Sequence, residues 1–262
     1  MIDAHCHLIP AIDDGAKDLA MAMAMARLAV QAGTTVLFCT PHHLNGVFNN
    51  PRTAVLTHLQ QLQQQLADSG IELLLAAGAE LHLTPELPGQ VLDGNALTYA
   101  DRGQAVLVEL PKRTVPLGTE AILEQLLYRD VTPVIAHPER NSELIRNPQR
   151  LAEWVDWGCK LQLTAQSCAG DFGPPIQQVS RDWCLHGWVH LVASDGHRPQ
   201  GRSPDMRKGY AQLQHWLGQE AADVLTEQNP RCLLEGQPLK SIPASIPAQQ
   251  QTRPHWLRRW LR

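Results

Sequence analysis

The chain opens Met1-Ile2-Asp3-Ala4-His5-Cys6-His7-Leu8-Ile9-Pro10. His5 and His7 stand two apart. Side chains alternate along a strand, so on a strand both imidazoles point to one side and can share a cation. On a helix they would diverge. The apolar Ile2 and the early Pro10 predict a short strand that stops here. A single His-x-His pair is a weak signal, and its weight depends on what ends the other apolar runs.

Outward from that strand, Asp13-Asp14-Gly15 has the composition of a turn. Residues 18–31 are rich in Ala, Met and Leu and predict a helix stopped by Gly33, with the methionines as packing. The β-branched and apolar run 34–39 predicts a strand ending in Thr40-Pro41-His42-His43. Pro51 starts a helix over 51–69 whose glutamines form a solvated face. Strand 71–77 leads to Glu80, a loop-rich stretch follows, and strand 105–108 leads to Glu109. A helix over 119–128 precedes strand 132–136, which ends in His137-Pro138-Glu139-Arg140-Asn141. Helix 148–157, strand 159–164, helix 174–186 and strand 189–193 follow, the last ending in Ser194-Asp195-Gly196-His197. Helices over 204–217 and 219–227 complete the pattern.

Strand and helix alternate throughout, which predicts an α/β fold with a parallel sheet. An open, doubly wound sheet fits the alternation too. The ligand-type residues favour closure. His5/His7, His42, Glu80, Glu109, His137 and Asp195/His197 each follow a different apolar run. In a barrel those carboxyl ends meet on one rim, where barrel active sites lie. In an open sheet they would be strung along a line. Mixed nitrogen and oxygen donors suit Mn, Zn or Fe rather than Ca. Carboxylates can bridge neighbouring cations that clamp phosphoryl oxygens and acidify water. Taken singly, Glu80 or Glu109 reads as a surface acid and His42 as an ordinary loop histidine; their joint placement argues otherwise.

Several classes are excluded. The net charge of −4 gives no global basic field for nucleic acid. No apolar run approaches the roughly 20 residues of a membrane span. No basic segment precedes the first strand, so no signal peptide is expected. The six cysteines form no Cys-x-x-Cys and suit reduced thiols in a cytoplasm. A cysteine-dependent phosphatase needs an arginine six residues after its nucleophile. The residues at that spacing are Ile12, Asn45, Ala165, Pro174, His190 and Pro238, none of them arginine. A P-loop is excluded because no Gly-Lys pair occurs.

The ordered motifs Met1-Ile2-Asp3-Ala4-His5-Cys6-His7, Asp13-Asp14-Gly15, Thr40-Pro41-His42-His43, His137-Pro138-Glu139-Arg140-Asn141 and Ser194-Asp195-Gly196-His197 resemble the PHP (polymerase and histidinol phosphatase) metallohydrolases. More narrowly, they resemble the PHP-type protein-tyrosine phosphatases of bacterial capsule and exopolysaccharide gene clusters. The resemblance spans roughly residues 1–235 and implies a distorted, TIM-like (β/α)7 barrel with three metal ions, usually manganese. It implies His5, His7, Glu80 and Asp195 around one ion. Glu80, Glu109 and His137 would hold the second, and Asp14, His42 and His197 the third. Arg140 and Arg202 match phosphate-binding arginines, and guanidinium geometry suits phosphate oxygens. The implied reaction is in-line attack on phosphorus by metal-bound hydroxide, with tyrosine leaving. His43 is a candidate proton source. The implied partner is the phosphotyrosine segment of a membrane-associated bacterial tyrosine kinase, and the implied location cytoplasmic or membrane-peripheral.

Two residues depart from the family pattern: Gln166 in Thr164-Ala165-Gln166-Ser167, awkward if the turn needs a positive φ, and Gly196 where alanine is usual. An amidohydrolase shares the His-x-His pair, but would more naturally carry lysine or histidine in place of Glu80 and Glu109. A histidinol-phosphate or sugar-phosphate phosphatase and a non-catalytic kinase-docking module are the competing readings. Residues 236–262 form a Pro- and Gln-rich linker and a basic tail in which Trp256, Leu257, Trp260 and Leu261 share helical spacing. The tail is a candidate for weak contact with an anionic membrane surface.

Overall fold

A computed structural model of the chain describes residues 1–245. Its strands are β1 (Ile2–Cys6), β2 (Val36–Cys39), β3 (His42–His43), β4 (Leu74–Ala77), β5 (Glu80–His82), β6 (Ala105–Glu109), β7 (Thr132–Ala136), β8 (Lys160–Thr164) and β9 (Leu191–Ala193). Every pairing between them is parallel. One sheet runs β1-β2-β4 and the other β3-β5-β6-β7-β8-β9. Only Thr40-Pro41 separates β2 from β3, and only Gly78-Ala79 separates β4 from β5. Proline has no N–H to give a ladder, and Pro41 instead accepts the Glu80 N–H through its carbonyl at 3.0 Å. The nine strands are therefore seven passes of the chain, two of them broken in the middle.

The ring closes between β9 and β1. Asp195 N–H donates to the His5 carbonyl and His7 N–H to the Gly196 carbonyl, both at 2.8 Å, around a Cys6–Gly196 bridge. Asp3 ties the same seam. Its buried carboxylate accepts from Ser194 N–H at 2.9 Å and from the Ser194 hydroxyl at 2.5 Å. Burial pushes its carboxyl up to about 6, against those hydrogen bonds. Ile2, Ala4, Phe38, Ala76, Leu107 and Val134 belong to one buried cluster. They alternate along their strands with residues of a second, larger cluster, such as Leu37, Leu75, Val106, Val108 and Ile135. This is the two-sided burial of a strand packed within the barrel and against an outer helical layer.

The helices fall close to expectation: Leu19–Gln31, Arg52–Asp68, Thr119–Tyr128, Pro148–Trp157, Pro174–Leu185 and Arg207–Leu217. Other segments differ. The stretch read as loop after Glu80 contains a helix, Leu87–Leu92. The helix expected to end near residue 227 passes through a wide turn at Val224–Gln228 into a further helix, Asn229–Glu235. Gln166 needs no positive φ: it lies in the helix Ala165–Ala169, and Gly170 takes the left-handed position at φ 88°. Gly196 sits in a tight place, where a Cβ would lie 3.0 Å from Ser194 Oγ and 3.1 Å from Cys6 Sγ.

Residues 236–245 pack along the barrel. Ile242 is buried, and Asn229 holds Lys240 through both the backbone N–H and the carbonyl. The basic tail with Trp256, Leu257, Trp260 and Leu261 lies outside the described residues. No helix among the described residues is long and apolar enough to cross a membrane.

Candidate active site

The carboxyl ends of the strands converge as the ligand pattern requires. His5 and His7 enter from β1 with their Nε2 atoms 3.2 Å apart. Each imidazole is held through its other nitrogen. Asp13 Oδ2 accepts from His7 Nδ1 at 2.6 Å. Gln162 Oε1 accepts from His5 Nδ1 at 2.8 Å, the amide orientation being fixed because its Nε2 donates to the Leu163 carbonyl. The Asp195 carbonyl accepts from His197 Nδ1 at 2.9 Å. An acceptor on Nδ1 leaves the Nε2 lone pair free for a cation, the usual outer-layer arrangement of metal-binding histidines.

Two carboxylates meet those nitrogens. Glu80 Oε2 lies 3.4 Å from His5 Nε2 and 3.3 Å from His7 Nε2. Asp195 Oδ1 lies 3.4 and 3.5 Å from the same two atoms. Three donor groups result: His5, His7, Glu80 and Asp195; His7, Asp14, His42 and His197; and His42, Glu80 and Glu109. His7, His42 and Glu80 each belong to two groups.

The residues fit a cluster of cations. Glu80 Oε2, Asp195 Oδ1, His42 Nδ1 and His197 Nε2 are buried with no hydrogen-bond partner among the described residues. Such atoms are costly unless something satisfies them, and all four belong to the donor groups. The electrostatics agree. Burial would push the Glu80 carboxyl up, but His5 and His137 override it and hold the group well below its usual range. Asp195 is held low in the same way by His5, His7 and Arg202, against its burial. The His197 and His42 imidazoles, each 3.3 Å from Asp14 Oδ1, hold its carboxyl low. A largely buried set of ionised carboxylates calls for positive charge, and an N/O donor set supplies sites for divalent ions of the Mn, Zn or Fe kind.

Of the expected ligands, His5, His7, Asp14, His42, Glu80, Glu109, Asp195 and His197 come together. His137 stands differently. Its Nε2 bonds Glu80 Oε1 at 2.7 Å, and His42 completes the group with Glu80 and Glu109. His43 lies opposite His42 on β3: His42 pairs with Glu80, whereas His43 pairs with Leu81 of the outer core. Its Nδ1 accepts the Asn50 N–H at 3.1 Å, and burial pushes its pKa down. His137 and Asp195 are non-glycine residues at positive φ, 34° and 50°, a strain that collects at functional sites.

Arg140 and Arg202 converge on one atom. Each guanidinium donates to Asp195 Oδ2 at 2.5 Å, while Oδ1 faces the histidines. Both side chains remain partly exposed. Arg140 also lies over the Phe172 ring, 5.5 Å from its centre.

Sequence reading passed over the residues that orient the ligands. Gln162 is a fully buried amide between Leu161 and Leu163 in the middle of its strand, which was a usable signal. Asp13 sits in a motif read only as a turn. Glu139, which accepts from Thr164 N–H at 2.9 Å and Ser167 Oγ at 2.7 Å, sits in a motif read for its neighbours. Gly15 is forced by proximity, since a Cβ there would overlap the His7 carbonyl oxygen and Cβ. Substituting Gly15→Ala must push the Asp13–Asp14 turn away from His7. Cation affinity, measured by titration against a competing chelator, is expected to fall about 10–100-fold, the cost of disturbing outer-layer support, with the circular dichroism unchanged.

Fold and donor cluster together define a barrel of the metal-dependent hydrolase class. Residues 1–235 match the family described as capsular polysaccharide synthesis, CpsB/CapC, and the chain belongs to that family. It is 37% identical over 237 residues to the tyrosine-protein phosphatase YwqE of Bacillus subtilis (strain 168), covering 90% of this chain and 92% of that one. It is 27% identical over 242 residues to the tyrosine-protein phosphatase CpsB of Streptococcus pneumoniae, covering 90% of this chain and 99% of that one. A crystal structure from work on YwqE and CpsB, described there as unique metal-dependent tyrosine phosphatases, superposes with a TM-score of 0.89 at 35% identity. That match covers 93% of this chain and 98% of the other.

Proposed function

We propose that this chain removes phosphate from tyrosine in a protein substrate, and that the substrate is the phosphotyrosine segment of a membrane-associated bacterial tyrosine kinase governing capsule or exopolysaccharide synthesis. The observation that carries the reading is the sharing of His7, His42 and Glu80 between donor groups, with two guanidinium groups at the same edge. Bound cations supply Lewis acidity and an acidified water. We take manganese as the ion, supported by the mixture of imidazole and carboxylate donors.

The chain's own residues do the rest. Arg140 and Arg202 bind phosphoryl oxygens and neutralise the charge that develops on them. Their shared hold on Asp195 Oδ2 keeps both forks at the cluster's edge. Phe172, beneath Arg140, and Phe48, whose ring lies parallel to His42 at 6.1 Å, offer apolar walls for an aryl group. Phenolate is a good leaving group, its conjugate acid having a pKa of about 10, so no strong general acid is demanded. We assign His43 to support of the loop that carries Phe48, through Asn50, rather than to proton donation. His137 holds Glu80, and its own nitrogen is available to share an ion once that hydrogen bond opens. Five of the six free cysteines are buried, which supports a reducing cytoplasmic location.

The test is turnover of a phosphotyrosine peptide, a chromogenic aryl phosphate and histidinol phosphate, each with added Mn²⁺ and with EDTA. Aryl substrates are expected to be hydrolysed only with the cation, and EDTA to reduce turnover at least about 100-fold. Faster hydrolysis of histidinol phosphate would point instead to a small-metabolite phosphatase. Failure to hydrolyse any of the three would leave a docking module.

A further inference from the structure

Beside the cation cluster runs a cavity of about 620 Å³ that no role above accounts for. It starts at Arg202 and passes Phe172, the two residues that tie it to Asp195 and Arg140. Such a volume falls in the range, about 300–1,000 Å³, that takes a ligand larger than one side chain. Its floor is rigid. Gln166 Nε2 donates to the Ser203 carbonyl at 2.6 Å. Gly209 backs so closely on Ala165 that a Cβ would lie 2.6 Å from the Ala165 carbonyl oxygen.

The charges around it do not cancel. Asp205 is bound by Arg207 at 2.5 Å and Arg202 by Asp195. Arg198 and Lys208 line the cavity, are exposed, and form no salt bridge among the described residues, Lys208 lying only within longer electrostatic reach of Asp205, which Arg207 already holds. Asp171, also exposed, is the one lining carboxylate without a cationic partner there. Two free cations against one free anion leave the groove positive next to the phosphate-binding end.

We propose that this cavity holds the polypeptide flanking the phosphotyrosine, and that Arg198 and Lys208 select an acidic residue in that flank. The inference rests on the phosphatase reading and adds a substrate preference to it. A phosphoryl group between Arg140 and Arg202 leaves the aryl group beside Phe172. The chain continuing from it then enters the cavity, where its side chains meet the two cations. The occupant is a peptide because the groove continues from the phosphate end and exceeds what an aryl phosphate fills. An acidic residue is preferred because it supplies the charge that the groove lacks. Exposed pairs of this kind contribute little each, so the preference should be several-fold rather than absolute.

The experiment compares two phosphotyrosine peptides, one with Asp or Glu beside the phosphotyrosine and one with Gln there. The Mn²⁺-loaded full chain is tested as wild type, as Arg198→Gln/Lys208→Gln and as Arg198→Glu/Lys208→Glu. A chromogenic aryl phosphate serves as reference. The wild-type ratio of kcat/KM, acidic over neutral, is expected at about 3–10-fold, carried by KM and shrinking at high salt. It should fall to about 1 in the Gln variant and below 1 in the Glu variant, the hallmark of charge complementarity. A wild-type ratio near 1, or a ratio that survives both variants, overturns the inference while phosphatase activity stands. Absence of turnover on all three substrates overturns the phosphatase reading and the inference with it.

Discussion

Replacing Glu80 by alanine is expected to cost more activity than any other single change in this chain. Glu80 belongs to two of the three donor groups, so its loss leaves only His7, Asp14, His42 and His197 as a complete set. Its two oxygens face different groups. Oε2 faces His5, His7 and His42, at 3.4, 3.3 and 3.0 Å, and Oε1 holds His137 at 2.7 Å. The carboxylate is fully ionised despite burial because His5 and His137 outweigh desolvation. Removing it leaves several buried imidazoles without their counter-charge, the situation in which buried groups change protonation rather than stay charged. Elemental analysis of Glu80→Ala is therefore expected to show cation lost from the two groups that Glu80 joins, with the third group still loaded. Turnover of an aryl phosphate should drop by at least about 1,000-fold, the upper end for deletion of a single preorganised electrostatic group. Glu80→Gln keeps the shape and the hydrogen bond to His137 but not the charge. It should resemble Glu80→Ala in cation content and turnover, and melt below the cation-loaded wild type, because bound cations stabilise the native state. A Glu80→Gln protein with full cation content and full turnover would remove Glu80 from the centre of the site.

How much of this was legible in the sequence differs by level. The barrel followed from local rules. Apolar β-branched runs made strands such as Thr132–Ala136, Ala- and Leu-rich segments made helices such as Leu19–Gln31, and the acids and histidines after each strand argued that the ends meet. The strand breaks were not readable, because Pro41 and Gly78 interrupt the ladder while the chain direction continues. Neither was the helix at Ala165–Ala169, whose five residues are too few to show a period. At the site, residues of ligand type carry their own chemical signature, and eight of the nine expected ligands come together in donor groups. Their supports carry no such signature. Asp3 and Ser194 bond across the barrel seam, Gln162 on β8 reaches His5 on β1, and Asp13 folds back from its turn onto His7; no residue type announces those contacts in the sequence. The partition of ligands was the least legible part. Whether His42 or His137 joins Glu80 and Glu109 depends on which imidazole nitrogen meets which carboxylate oxygen, a matter of fractions of an ångström.

Arg140→Ala and Arg202→Ala are each expected to lower kcat/KM for a phosphotyrosine peptide by about 100–1,000-fold, the loss seen when one donor to a developing oxyanion is deleted. Unlike Glu80→Ala, neither should empty the site. Asp195 presents Oδ1 to His5 and His7, and the arginines hold only Oδ2. Because both guanidinium groups bond the same oxygen, the two effects should not add. Once one arginine is gone, the other still fixes the carboxylate, and the second deletion releases it. The double variant should therefore lose more than the sum of the single losses in free energy, the coupling expected of residues that share a partner. Lysine at either position keeps the charge but not the planar fork, so Arg140→Lys should recover phosphate affinity in part and catalysis hardly at all. Competitive inhibition by inorganic phosphate gives an independent readout: its inhibition constant should rise in each single variant while cation content stays at the wild-type level. Equal losses in phosphate affinity and cation content would mean that the arginines serve Asp195 alone. Loss of phosphate affinity at constant cation content identifies them as the groups that receive the phosphoryl oxygens.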